Sequence, residues 1–301
     1  MTATGQGTES SRTAPGGTAR LGDRAVARIG FGAMQLAREG VPREAALAIL
    51  RQAVHEGVNH IDAAHFYGST NALIRDALAP YPGDLVLVTK VGAARTAAGG
   101  FAPGQRPEQL REQVEANLAT LGADRVGVVN LRRLDAQPGL IAEGDQVVPL
   151  DDQLAELTAL RDAGKIGAIG LSNVSAGQLR QALPAGIACV QNSYSVLDRA
   201  DEPVLGLCRE HAVAWVPFFP LGGALPRRPK ATGNPVVTAI AAGLGATPAQ
   251  VALAWLLAHY AGTLLIPGTA DPAHLAENIA AGSLRLAPAA VTALDRLAPA
   301  G

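Results

Sequence analysis

Asp62, Tyr67 and Lys90 are the residues of this chain whose types and spacing best suit chemistry on a small molecule. The segment Gly57-Val58-Asn59-His60-Ile61-Asp62 runs into Ala63-Ala64-His65-Phe66-Tyr67-Gly68, and a separate β-branched run ends in Val88-Thr89-Lys90. Alternation along a strand puts Asp62 on the side of His60, and Lys90 on the side of Val86 and Val88, so a carboxylate and an ammonium share one interior. Tyr67 lies on the stretch leaving the first strand, where it can fold back over both. Such a trio suits reduction of a carbonyl. Hydride addition creates an alkoxide that must take a proton, and an isolated phenol, which ionises at about pH 10, is a poor donor near neutrality. A neighbouring ammonium favours the phenolate and so eases the transfer, while a carboxylate fixes the ammonium in place. A Lys-Asp pair alone reads as structural; the tyrosine beside it changes the balance toward catalysis.

These groups meet only if short strands carry them to one end of a sheet. Apolar or β-branched runs at 28–32, 58–62, 85–90, 126–132, 166–172, 187–191, 214–218 and 263–267 read as strands. Segments of helical period alternate with them at 42–56, 70–78, 107–121, 150–163, 175–182, 203–211, 247–259 and 272–281. Eight such units predict an α/β fold, a (β/α)8 TIM barrel, whose chemistry sits at the carboxyl ends of its strands. Helix starts are legible at Arg106-Pro107 and Thr247-Pro248. A further helix over 288–297, opened by a proline, follows as an appendage at the C-terminus. Residues 19–21 and 25–27 around Gly22-Asp23 predict an N-terminal β-hairpin closing the bottom of the barrel. The stretch 221–234, rich in Pro, Gly and basic residues, reads as a mobile loop over the site.

The segment from Gly57 to Gly68, the Val88-Thr89-Lys90 ending, Gly170-Leu171-Ser172-Asn173, Val190-Gln191-Asn192, Pro220-Leu221-Gly222 and Ile266-Pro267-Gly268-Thr269 with Glu277-Asn278 follow one another in a recognisable order. On these residues the chain resembles the aldo-keto reductase family over nearly its whole length after residue 20. The resemblance implies NAD(P)H-dependent reduction of an aldehyde or ketone, with Asp62, Tyr67 and Lys90 as three of four catalytic residues. It implies that Ser172, Asn173 and Gln191 hydrogen-bond the nicotinamide carboxamide and that Phe218 stacks on the nicotinamide face. It further implies cofactor contacts from Gly32, Met34, Pro220, Leu221, Gly222, Ile266, Gly268, Thr269, His274, Glu277 and Asn278.

The fourth catalytic position departs from the family. Most members have histidine at the end of strand four; here Val129-Asn130-Leu131-Arg132-Arg133 places Arg132 there. An arginine is no acid or base near neutrality, yet it can hold the carbonyl oxygen or the developing alkoxide. Two arrangements are open: Arg132 facing the substrate, or Arg132 turned to a carboxylate with Asn130 or water in its place. His65, on the connection to Tyr67, reads as a packing residue. The Val-Asn-Leu-Arg ending, Gly32-Ala33-Met34-Gln35-Leu36 and the run from Val216 to Gly223 resemble the bacterial pyridoxal reductase-like branch of the family, which brings pyridoxal forward as a substrate.

The resemblance implies NADPH, without a Gly-x-Gly-x-x-Gly fingerprint. The positions often basic in the family are Gly268, Ala270 and Ala276, with His274 where arginine is common and Asp271 close by, so NADH is not excluded. With 25 basic and 26 acidic residues and no run of like charge, nothing calls for nucleic acid or a membrane surface, and the partner expected is a small carbonyl compound. Residues 1–20 lack the apolar core of a signal peptide and read as a disordered tail on a single cytoplasmic barrel domain, 21–301. Cys189 and Cys208 read as reduced, packed thiols. Two rival functions share the barrel: a Schiff-base lyase using Lys90, and a nucleotide-binding regulatory subunit with little turnover.

Overall fold

The computed structural model describes residues 13–96, 98–136, 139–222 and 229–297. It opens with an antiparallel hairpin, β1 (Thr18–Leu21) and β2 (Arg24–Ala27), in which Thr18 faces Ala27 and Leu21 faces Arg24. Residues 13–20 of the segment expected as a tail are thus part of the fold, and residues 1–12 lie outside the described residues. Gly16 and Gly17 turn the chain at positive φ, and the carbonyls of Pro15 and Gly17 accept the amides of Ile29 and Arg28 at 3.1 and 2.9 Å. Those backbone bonds fix residues that composition alone marks as loose.

Seven parallel strands follow: β3 (Phe31–Gly32), β4 (His60–Asp62), β5 (Val86–Val91), then, after a small hairpin of β6 (Ala93–Arg95) and β7 (Phe101–Pro103), β8 (Val126–Arg132), β9 (Ile166–Ser172), β10 (Ile187–Gln191) and β11 (Ala214–Trp215). Their order across the sheet is β11-β10-β9-β8-β5-β4-β3. Residues 263–265 close the ring, with Thr263 bridging Trp215 and Leu265 bridging Ile29, both parallel. The Leu264 and Leu265 amides bond to the carbonyls of Trp215 and Arg28, each at 2.8 Å. The eighth strand expected at 263–267 is thus present as a closing segment rather than a full ladder. Likewise the strands expected at 28–32 and 214–218 keep only a short paired core.

Side chains alternate as the pleat requires. Val86, Val88, Val128, Cys189, Ala214, Val216 and Leu264 fill the barrel interior together with Leu21 and Val26 of the hairpin, which therefore plugs the barrel bottom as expected. Their neighbours Leu87, Val129, Leu131, Ile169, Leu171 and Val190 face outward and pack beneath the helices. The helices are α1 (Arg43–His55), α2 (Thr70–Leu78), α3 (Pro107–Leu121), α4 (Leu150–Asp162), α5 (Ala176–Ala182), α6 (Glu202–Glu210), α7 (Pro235–Leu244), α8 (Pro248–His259), α9 (Pro272–Ala280) and α10 (Pro288–Asp295). Asn234 caps the amides of Val236 and Val237, and Gly245 in the left-handed conformation ends α7, a helix the sequence reading missed. The appended helix α10 is tied down by Arg199, whose guanidinium bonds the carbonyls of Leu294, Asp295 and Leu297. Of the expected loop 221–234, residues 223–228 lie outside the described residues. Its flanks are pinned, with Gly222 bridging Lys230 and the Ala231 amide bonding Leu221 at 2.9 Å. Among the described residues no single helix is long and apolar enough to cross a membrane, and α7 and α8 meet at 95°.

Candidate active site

Strand register decides which side chains meet at the carboxyl end of the barrel. Lys90 pairs with Asn130, Asn130 with Gly170, and Gly170 with Cys189, forming one inward layer. The layer above is Arg132, Ser172 and Gln191. Asp62 pairs with Val88, one step below Lys90. Asp62 and Lys90 are both buried and form an ion pair. Burial by itself would lower the Lys90 pKa; the Asp62 carboxylate and the Tyr67 phenol outweigh it and hold the ammonium above the ordinary lysine value. Lys90 Nζ lies 5.2 Å from the centre of the Tyr67 ring. The second carboxylate oxygen of Asp62 accepts from Gln191 Nε2 at 2.7 Å.

Tyr67 is presented by a single 3-10 turn, His65–Tyr67. The turn is anchored on three sides. Phe66 is buried with Ala64 and Ala93, and Tyr67 packs edge-on against it with ring centres 5.0 Å apart. The Thr70 hydroxyl donates to the Tyr67 carbonyl at 2.9 Å. His65 Nδ1 sits 3.3 Å from the Asn117 amide of α3, and Asn117 in turn accepts from Thr89 at 2.5 Å and Asn71 at 2.9 Å. Burial lowers the His65 pKa, partly countered by a hydrogen bond to the Lys90 backbone. His65 thus positions the turn, as the packing reading expects. The Asn117 network carries no motif, and sequence reasoning did not find it.

Arg132 and its neighbour Arg133 take different partners. It is Arg133 that turns aside, in a two-pronged pair with Asp135 at 2.8 and 2.9 Å and a bond to the Val148 carbonyl. Arg132 instead donates to Ser172 Oγ at 3.3 Å, and its guanidinium carbon lies 5.6 Å from the centre of the Phe218 ring. Burial pulls the Arg132 pKa below the ordinary arginine value, and the Tyr67 phenol pushes it back up. Gln105, another residue the sequence reading passed over, donates to the Arg132 carbonyl at 2.8 Å and the Gly92 carbonyl at 2.6 Å, tying the ends of β5 and β8 together. Asn130 lies one layer deeper, fully buried, and accepts from Cys189 Sγ at 3.2 Å.

The expected cofactor residues lie in several places. Ser172, Asn173, Gln191 and Phe218 stand at or just beyond the ends of β9, β10 and β11, with Gln191 bonded to Asp62 and Ser172 and Phe218 against Arg132. Gln191 Oε1 is buried with no hydrogen-bond partner among the described residues, an acceptor able to take a ligand's donor. Asn173, at φ 59°, gives its amide to the Ala136 carbonyl at 2.8 Å, so its donor side is engaged. Gly32, Ile266 and Gly268 meet where the barrel closes: a Cβ on Gly32 would lie 2.4 Å from the Ile266 carbonyl oxygen, and one on Gly268 2.1 Å from that of Gly32. These glycines are required by the closure itself. Pro220, Leu221 and Gly222 form a tight turn, the Gly222 amide bonding Phe219 at 2.8 Å, and Met34 is exposed. At the start of α9 the Thr269 hydroxyl accepts from the Asp271 amide at 3.0 Å and Asp271 caps Ala273. His274 is well exposed, its ring 3.8 Å from Asp271, and Glu277 and Asn278 are half-buried on the same helix.

The model of the aldo/keto reductase family matches residues 28–299. The chain belongs to that family. It is an NAD(P)H-dependent oxidoreductase, and its reaction is reduction of a carbonyl to an alcohol. Among curated relatives of this aldo/keto reductase, the pyridoxine 4-dehydrogenase of Escherichia coli K12 is 43% identical over 286 residues, covering 92% of this chain and 97% of that protein. An uncharacterized oxidoreductase of Schizosaccharomyces pombe is 32% identical, covering 93% and 89%. An aldo-keto reductase from Klebsiella pneumoniae, solved in complex with NADPH, superposes with a TM-score of 0.77 at 26% identity, over 93% of this chain and 94% of that one. The barrel, its family and its reaction class accord with the sequence reading.

Proposed function

We propose that this reductase converts the aldehyde of pyridoxal, or a planar hydroxy-aldehyde like it, to the alcohol, in the cytoplasm and with NADPH. The observation that supports the reading is the Arg132 guanidinium at the end of β8, bonded to Ser172, lying over the Phe218 ring and close enough to Tyr67 to feel its phenol. A guanidinium there offers two parallel donors, which suits a carbonyl oxygen with a second oxygen next to it. The 43% identical relative is a pyridoxine 4-dehydrogenase, which supports the substrate class.

Reduced nicotinamide supplies the hydride. The chain's own residues do the rest. Gln191, through its unpaired Oε1, and Ser172 orient the carboxamide, and the Phe218 ring supports the nicotinamide face. Tyr67 and Arg132 hold the carbonyl oxygen, and as negative charge develops on it the Tyr67 hydroxyl proton passes across, completing the alcohol. Lys90 stabilises the phenolate left behind, and Asp62 fixes Lys90. Arg132 does not change protonation; it acts through charge alone. Half-exposed Tyr67 regains its proton from solvent.

The start of α9 offers the adenosine 2′-phosphate His274 and backbone donors but no Arg or Lys. The preference for NADPH over NADH is therefore modest. The lyase alternative requires Lys90 as a free amine, whereas Asp62 and Tyr67 hold it as an ammonium, which argues against Schiff-base chemistry. Loss of reduced-nicotinamide absorbance with purified protein and pyridoxal, run in parallel with NADPH and NADH, tests the reading. Oxidation with both, faster with NADPH, is the expected result.

A further inference from the structure

We infer that the β6–β7 hairpin carries an anion-recognition subsite for the substrate, with Arg95 as its charged group, so that carbonyl compounds bearing an acidic substituent are preferred over neutral ones of the same shape. The inference rests on the site being the carbonyl-reducing centre described above. The hairpin pairs Arg95 with Phe101 and Ala93 with Pro103, and stands directly after β5, the strand that carries Lys90. Arg95 lies against Gly68, the residue following Tyr67: a Cβ at position 68 would be 2.9 Å from Arg95 Nη1. Gly68 has φ +73°, so the absence of a side chain serves both its own turn and the guanidinium's approach.

Among the described residues Arg95 has no carboxylate or carbonyl partner, unlike Arg43, Arg106, Arg111 and Arg133, each of which is paired. Beside it Phe101 is about half exposed and meets Phe66 edge-on, ring centres 5.9 Å apart, while Phe66 meets Tyr67 in the same manner. An uncommitted cation and an exposed ring thus stand against Gly68 and Phe66, the two chain neighbours of Tyr67. A flat ring carrying a carboxylate or phenolate satisfies both. Because Arg95 is exposed, the contribution is modest and screened by salt.

The test compares 4-formylbenzoate with its methyl ester, using NADPH and the whole chain. The expected result is a lower KM for the carboxylate in the wild type, rising with added salt. Arg95→Gln lowers the carboxylate-to-ester ratio of kcat/KM by roughly two- to fivefold through KM, Arg95→Glu lowers it further, and Arg95→Lys restores part of it. An unchanged ratio in Arg95→Gln and Arg95→Glu, with both aldehydes still reduced, would overturn the subsite alone. A wild type inert toward both compounds and toward pyridoxal would instead overturn the reduction reading beneath it.

Discussion

Asp62 and Gln191, 129 residues apart in the chain, share a 2.7 Å hydrogen bond across the mouth of the barrel. Gln191 holds, through its amide nitrogen, the carboxylate that pairs with Lys90, and on the proposed reading its oxygen takes the nicotinamide carboxamide, which couples cofactor to catalysis. Gln191→Leu should cost about 1.5–3 kcal/mol of stability, the range for a bond to a charged group. Dinucleotide affinity, read by quenching of protein fluorescence, should weaken roughly tenfold, since about 1.4 kcal/mol of lost binding is a factor of ten.

The Asp62–Lys90 pair is buried at both ends. Removing one partner strands the other's charge, so Lys90→Met and Asp62→Asn should each destabilise by about 3–5 kcal/mol. The double variant should lose much less than the sum. Denaturant unfolding of the three proteins measures the coupling, and simple additivity would show that the pair is not a unit.

On the proposed reading, Arg132 sets a fixed charge where most of the family has a titrating histidine. Arg132→Gln should lower kcat by about 10²-fold, as loss of one preorganised donor does. Arg132→His should leave partial activity and add a titration to the pH–rate profile near neutrality, absent in the wild type. A wild-type profile that already carries that titration would assign it to another group.

The sequence was most legible where chemistry and period coincide. Asp62, Lys90, Arg132, Ser172 and Gln191 all stand at strand ends that hydrophobic runs announce, and the structure brings them together. What escaped has physical reasons. The helix Pro235–Leu244 has no polar face to give a period, although Asn234-Pro235 and Gly245 mark its ends as clearly as Thr247-Pro248 marks the next helix. The hairpin of β6 and β7 has strands of three residues around glycines, too short to alternate. The Asp62–Gln191 bond joins positions whose relation depends on four strand registers, and nothing local encodes it.

His60 lies in the barrel below Asp62, fully buried, with neither ring nitrogen hydrogen-bonded, and a Cβ on Gly30 would collide with its ring. Burial drops its pKa to about 4, so the folded protein keeps it neutral while the unfolded chain takes up a proton at higher pH. The unfolded state therefore binds more protons between the ordinary histidine pKa and about 4, and stability falls as pH falls through that window, by about 3 kcal/mol in all. His60→Leu should flatten this part of the profile; chemical denaturation at pH 7 and pH 4.5 would show it.

The central claim is that Tyr67 gives its proton to a carbonyl in an NADPH-dependent reduction. The most direct measurement pairs NADPH oxidation by pyridoxal with a fluorescence titration of NADPH, in the wild type and in Tyr67→Phe. The account predicts rapid oxidation by the wild type and a loss of about 10²–10⁴-fold in kcat for the variant, with NADPH affinity nearly unchanged. Turnover by Tyr67→Phe at the wild-type rate would contradict it.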